Sequence, residues 1–90
     1  MIWKIEGKSI VKEFEFANFS DAVEFVNKIT PVAEKVNHHP DILIHKYKKV
    51  KIMLYTHSED KITERDYSLA EQIDEIFVGS KTKHGIFKGK

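Results

Sequence analysis

The chain has 90 residues with 15 basic and 14 acidic side chains, a formal net charge of +1, and no cysteine. Disulfides, thiolate metal sites and thiol nucleophiles are therefore excluded, and the near-neutral balance carries no global nucleic-acid footprint. No apolar run is long enough to cross a bilayer and no apolar segment follows the charge near Met1, so no membrane partner and a cytoplasmic location are expected.

Trp3-Lys4-Ile5-Glu6 alternates apolar and polar residues and is punctuated by Gly7-Lys8. Ile10 to Phe16 then reads as a second strand, with Ile10 breaking strict alternation, so Gly7-Lys8 is expected to turn a hairpin. A helix follows: Ala22, Phe25, Val26, Ile29, Val32, Ala33 and Val36 recur at spacings of three and four, with Ser20 as candidate N-cap and Asp21 suiting the positive end of the helix dipole. Pro31 interrupts that pattern and calls for either a kink or a restart capped by Thr30. Asn37 is the expected end of the helix, because Pro40 cannot extend it comfortably. Asp41–His45 and Lys49–Thr56 are strand candidates. In the second, Val50, Ile52, Leu54 and Thr56 share one face, and Lys49, Lys51, Met53 and Tyr55 the other. After a charged loop, Thr63 caps a second helix, and Asp66 three residues on completes a capping-box-like pair. Leu69, Ala70, Ile73, Ile76 and Phe77 form its buried stripe, and Gly79 is expected to end it. Residues 80–90, rich in lysine, read as a mobile basic tail. The whole implies one domain over residues 1–79 with an α+β fold: a mostly antiparallel sheet with both helices on one face. A core this small makes self-association a common means of burying more surface.

The chemistry concentrates at His38-His39-Pro40. Histidine is the side chain whose ordinary pKa lets it give and take a proton near neutrality. Glu34 stands four residues before His38, a spacing that places the two on one helix face and lets the carboxylate orient the ring; the bland alternative is an exposed pair worth a few tenths of a kcal/mol. His57, at the end of the alternating strand, is the third imidazole of interest, while His45 and His84 read as surface residues. Glu34, His38 and His57 could also supply three metal ligands, but neither a His-Glu-x-x-His motif nor a Cys/His cluster is present, so no metal is expected. Asp66 has its capping role as an alternative to any chemical one. Arg65 either anchors an anionic group or pairs with a neighbouring carboxylate. The lysines of 46–51 and 81–90 read as solvated, which argues against a nucleic-acid partner.

Glu34-x-x-x-His38-His39-Pro40, then Tyr47, Thr56-His57 and Glu64-Arg65-Asp66, resembles the pterin-4a-carbinolamine dehydratase family, also known as a dimerisation cofactor of a homeodomain transcription factor. Trp3, Gly7, the Phe14/Phe16 strand and the Ala22–Val36 helix extend the resemblance over essentially the whole chain. It departs from the family in several places. Members usually carry a helical segment before the tryptophan. The stretch from Pro40 to Tyr47 is one residue longer than in many, which suggests a bulge. The loop Ser58-Glu59-Asp60-Lys61 lacks the usual glycine, so Asp60 is expected to turn left-handed. Pro31 is unusual too.

The resemblance implies a four-stranded antiparallel sheet with helices on one side. It also implies a cofactor-independent hydro-lyase that converts 4a-hydroxytetrahydropterin to quinonoid dihydropterin, recycling the tetrahydropterin cofactor, and a homodimer or homotetramer. By that analogy His38 and His57 transfer protons, His39 binds the pterin and stabilises charge, and Glu34 orients His38. Pro40, Thr56, Ser58 and Glu59 contact the pterin, and Arg65 and Asp66 support the pocket. Two further readings stand beside it: a non-catalytic assembly or dimerisation cofactor for a partner protein, and dehydration of a different, molybdopterin-related pterin.

Overall fold

The computed structural model describes residues 2–85, with side chains described for residues 2–80. Its elements run β1 (Lys4–Glu6), β2 (Ser9–Glu15), α1 (Phe19–Val36), β3 (Asp41–His45), β4 (Lys49–Leu54) and α2 (Glu64–Gly85). The four strands form one antiparallel sheet in the order β1-β2-β4-β3. Gly7 takes φ 61 in the two-residue turn between Glu6 and Ser9, a backbone state that favours glycine and lets the hairpin close tightly.

Alternation sorts the sheet into two faces. Ile10, Phe14 and Phe16 from β2 and its extension, with Val50, Ile52 and Leu54 from β4, point to the helices and are buried. They pack on Ala22, Phe25 and Ile29 of α1 and Leu69, Ala70 and Ile73 of α2. Phe14, Phe16, Phe25 and Phe77 form an aromatic cluster with centroids 4.9 to 5.9 Å apart. The expected α+β sandwich, with both helices on one face of a four-stranded antiparallel sheet, is the observed one.

Several local expectations are corrected. Asn18, not Ser20, caps α1: its side chain accepts from the Asp21 N–H at 2.8 Å. The helix runs unbroken through Pro31, so there is no restart at Thr30, whose hydroxyl instead donates to the Val26 carbonyl at 3.0 Å. No bulge interrupts β3. The ladder pairs Asp41 with Met53 through His45 with Lys49, and the two strands are joined by a three-residue turn where Lys46 and Tyr47 are left-handed. Gly79 does not end α2, which continues to Gly85, so residues 80–85 are helix rather than tail. The rest of the expected basic tail, residues 86–90, lies outside the described residues. No helix among the described residues is long and apolar enough to cross a membrane.

Candidate active site

The end of α1 decides which histidine faces inward. Asn37 is left-handed (φ 53), its N–H bonds the Glu34 carbonyl at 3.2 Å, and the His38 N–H bonds the Ala33 carbonyl at 3.1 Å. This pair of bonds around a left-handed residue is a Schellman termination. It breaks the helical phase after Val36, so the four-residue relation between Glu34 and His38 does not hold. His38 turns into the protein, 7% exposed, while His39 turns out and meets the Glu34 carboxylate at 2.9 Å. The expectation that Glu34 orients His38 is therefore wrong: Glu34 holds His39.

Asp66 is the carboxylate that holds His38. Its Oδ1 lies 2.6 Å from His38 Nε2, and its Oδ2 accepts from the Thr56 hydroxyl at 2.7 Å and from the Thr63 N–H at 2.9 Å. Thr63 in turn accepts from the Arg65 N–H at 3.2 Å, so the expected capping-box-like pair forms with the cap hydroxyl on the second N–H of the helix and not the third. Thr63 Oγ1 also lies 2.8 Å from Thr56 Oγ1. Thr56 donates to Asp66, so the Thr63 hydroxyl donates to Thr56. A continuous chain of bonds thus runs from Arg65 N–H through two hydroxyls to a carboxylate that is 0% exposed. Burial by itself would raise the Asp66 pKa; the hydrogen bonds from His38, Thr56 and the Thr63 N–H outweigh it and hold the carboxyl below its ordinary value. An ionised Asp66 can only accept, so Nε2 of His38 carries the hydrogen and Nδ1 is left to exchange a proton.

β4 delivers Thr56 to the same place, and His57 follows it into a tight loop. Thr56 and Lys61 bridge across this loop, whose Asp60 is left-handed (φ 56) as expected. An open cleft of about 350 Å³ results, lined by Asn37, His38, His39, Pro40, Asp41, Thr56, His57, Ser58 and Arg65. That is the size of a small-molecule site, for which volumes of roughly 300–1,000 Å³ are usual. Arg65 donates from Nη2 to the Asn37 carbonyl at 2.9 Å, tying the start of α2 to the end of α1 at the cleft wall.

The structure thus brings His38, His39, Pro40, Thr56, His57, Ser58 and Arg65 to one cleft. Asp66 sits beneath it. Glu34 borders a smaller hollow of about 140 Å³ that shares His39 and Pro40 with the cleft, and Glu59 is not among the cleft's lining residues. Sequence reasoning overlooked Asn37 and Asp41 as wall residues. It also read Asp66 as a cap or a support without pairing it to His38. The capping-box pattern was the available signal, but a cap that also grips a distant side chain looks the same in one dimension.

The family model for pterin 4 alpha carbinolamine dehydratase matches residues 2–76. A Sulfolobus acidocaldarius protein named for that dehydratase is 45% identical over 74 residues, covering 82% of this chain and 80% of the relative. A Herpetosiphon aurantiacus protein named likewise is 48% identical over 79 residues, covering 88% and 81%. Among solved structures, a transcriptional coactivator/pterin dehydratase from Brucella melitensis aligns with a TM-score of 0.75 at 36% identity, over 82% of this chain and 79% of that one. A pterin dehydratase-like protein described as a RuBisCO assembly factor in the alpha-carboxysome aligns with a TM-score of 0.69 at 22% identity over 82% and 87%, a likeness of fold. The chain belongs to the pterin 4 alpha carbinolamine dehydratase family.

Proposed function

We propose that this protein is a 4a-hydroxytetrahydropterin dehydratase, a hydro-lyase that removes water from a pterin 4a-carbinolamine to give quinonoid dihydropterin. The observation that carries the proposal is the meeting of imidazoles from two separate segments, 38–39 and 57, at one cleft, with His38 backed by a buried carboxylate. Elimination needs a proton delivered to the 4a hydroxyl, which leaves as water when the C4a–O bond breaks, and a proton removed from N5 as the N5=C4a bond forms. Two positioned imidazoles suit the task, each contributing typically about 10²–10⁴-fold. With Nε2 committed to Asp66, His38 presents a lone pair at Nδ1 and is assigned the N5 proton. His57, exposed at the cleft mouth, is assigned the leaving hydroxyl, and His39, steadied by Glu34, the binding of the pterin ring. Pro40, Thr56 and the loop residue Ser58 are assigned pterin contacts, and Arg65 the support of the cleft wall.

The decisive experiment is stopped-flow loss of synthetic 4a-hydroxytetrahydropterin with and without the protein. Acceleration that is lost in His38→Ala and His57→Ala supports the reading. No acceleration by the wild-type protein rejects it and leaves the assembly-cofactor role, which needs an intact surface but no histidine set.

A further inference from the structure

We infer that Tyr55, tethered through its hydroxyl to Asp60 and by Asp60 to Lys8, is the positioning residue of His57; this rests on the dehydratase reading above. Tyr55 alternates to the sheet face opposite Thr56, so it stands outside the cleft, and its ring meets the His57 ring edge-on with centroids 4.6 Å apart and planes 83° apart. His57 is exposed, and among the described residues no hydrogen bond or ion pair holds its ring. The contrast with the other two imidazoles is sharp, since His38 and His39 each have a carboxylate partner. The Tyr55 ring is the packed contact that restricts His57, beside a longer-range electrostatic attraction from the Asp60 carboxylate, and aromatic pairs in this edge-to-face arrangement attract one another beyond simple burial.

Tyr55 is itself held. Its hydroxyl donates to the Asp60 carboxylate, and Lys8 Nζ reaches both Asp60 oxygens at 3.0 and 3.1 Å. Lys8 is the second residue of the β1–β2 hairpin turn, so three chain segments converge on this carboxylate. The hydrogen bond from Tyr55, then that from Lys8, lowers the Asp60 pKa, and the same bond to Asp60 raises that of Tyr55. Phenol and carboxylate therefore both keep the forms that hold the bond through neutral pH. Asp60 also adopts the left-handed backbone (φ 56) that turns the loop back toward β4 and brings its side chain to Tyr55. Aspartate accepts that state more readily than most non-glycine residues.

The test combines NMR of the free protein with dehydration kinetics of wild type, Tyr55→Ala, Tyr55→Phe and Asp60→Gly, the last preserving the left-handed turn while removing the carboxylate. In wild type, nuclear Overhauser contacts join the two rings and the Hα–Hβ couplings of His57 report a single χ1 rotamer. Tyr55→Ala and Asp60→Gly average those couplings and lower kcat roughly 3- to 30-fold, as small misplacements of a reacting group do, with KM nearly unchanged. Tyr55→Phe restores part of the loss because it keeps the ring. In a His57→Ala background, Tyr55→Ala costs nothing further. A single His57 rotamer that persists without Tyr55, or a kcat loss that adds to that of His57→Ala, overturns the inference. A wild-type protein with no dehydratase activity would remove the proposed function alone, and the couplings would still decide whether Tyr55 orders His57.

Discussion

Asp66 closes the first turn of α2 and grips His38 with one carboxylate, so its two duties share a single titration. Asp66→Asn keeps the shape but removes the charge and supplies an amide where an acceptor is needed. Dehydration should fall roughly 10²–10⁴-fold, the range for a disabled acid–base group. Stability should fall by about 1.5–3 kcal/mol, the worth of a charge-assisted hydrogen bond. The sign of the pH dependence follows from the lowered pKa of Asp66. Its stabilisation is complete above the unfolded-state value of about 3.9 and is lost as pH falls through the folded value, because the unfolded chain takes up the proton first. Urea unfolding of wild type and Asp66→Asn from neutrality down to about pH 3 should show the gap between them shrinking with acid. Glu34→Gln makes the contrasting case. That carboxylate and its His39 partner are 69% and 54% exposed, so the urea midpoint should move by no more than about 1 kcal/mol equivalent. The histidines and Pro40 were legible in the sequence as residue types with the right chemistry. Their partners were not, because one left-handed residue at Asn37 exchanges which imidazole meets Glu34, and spacing alone assumes that the helix continues.

Elements with strong periodicity were read correctly, as were the end of α1 at Asn37 and the Thr63 cap of α2, whereas the start of α1 and the end of α2 were not. The β4 alternation is unambiguous because Val50, Ile52 and Leu54 are all 0% exposed, and burial on one face is a large energetic signal. Caps are worth only about 1 kcal/mol, so Ser20, the expected cap, yields to Asn18 two residues upstream at little cost. Gly79 shows the same weakness at the other end. Glycine costs about 1 kcal/mol inside a helix, too little to end one whose preceding turn is anchored on the core by Ile73, Ile76 and Phe77. A Cβ at Gly79 would meet nothing within 4 Å, and no left-handed φ is needed there. Gly79→Ala should therefore stabilise the protein by about 0.5–1 kcal/mol, read as a raised urea midpoint at unchanged slope. Asn37→Ala should do the reverse. Forcing alanine left-handed costs about 1–2 kcal/mol, and any relief by unwinding would carry His38 away from Asp66, so thermal stability and activity should fall together.

At the scale of the whole molecule the most unusual member of the interior is Lys12. It occupies a helix-facing position of β2 between Ile10 and Phe14, where alternation calls for an apolar side chain, and its side chain is 6% exposed. Its ammonium lies 2.5 Å from Asp74 Oδ1 on α2 and 5.0 Å from the Phe14 ring centroid, while Trp3 Nε1 donates to Asp74 Oδ2 at 3.0 Å. Segments near residues 3, 12 and 74 are thereby joined through one carboxylate, which ties the start of the sheet to the helix that also carries Asp66. Removing either charge is not equivalent. Asp74 is 32% exposed and can be rehydrated, whereas Lys12 cannot. Asp74→Asn still accepts from Trp3 but leaves a buried ammonium uncompensated, and should cost about 3–5 kcal/mol. Lys12→Met fills the same space with an apolar chain and should cost less than about half as much, because the carboxylate it abandons reaches water. The double variant should recover most of what Asp74→Asn loses, a coupling that a double-mutant cycle by urea denaturation measures directly. Equal losses from the two single variants that simply add would mean that the pair contributes packing area and no electrostatic link between sheet and helix.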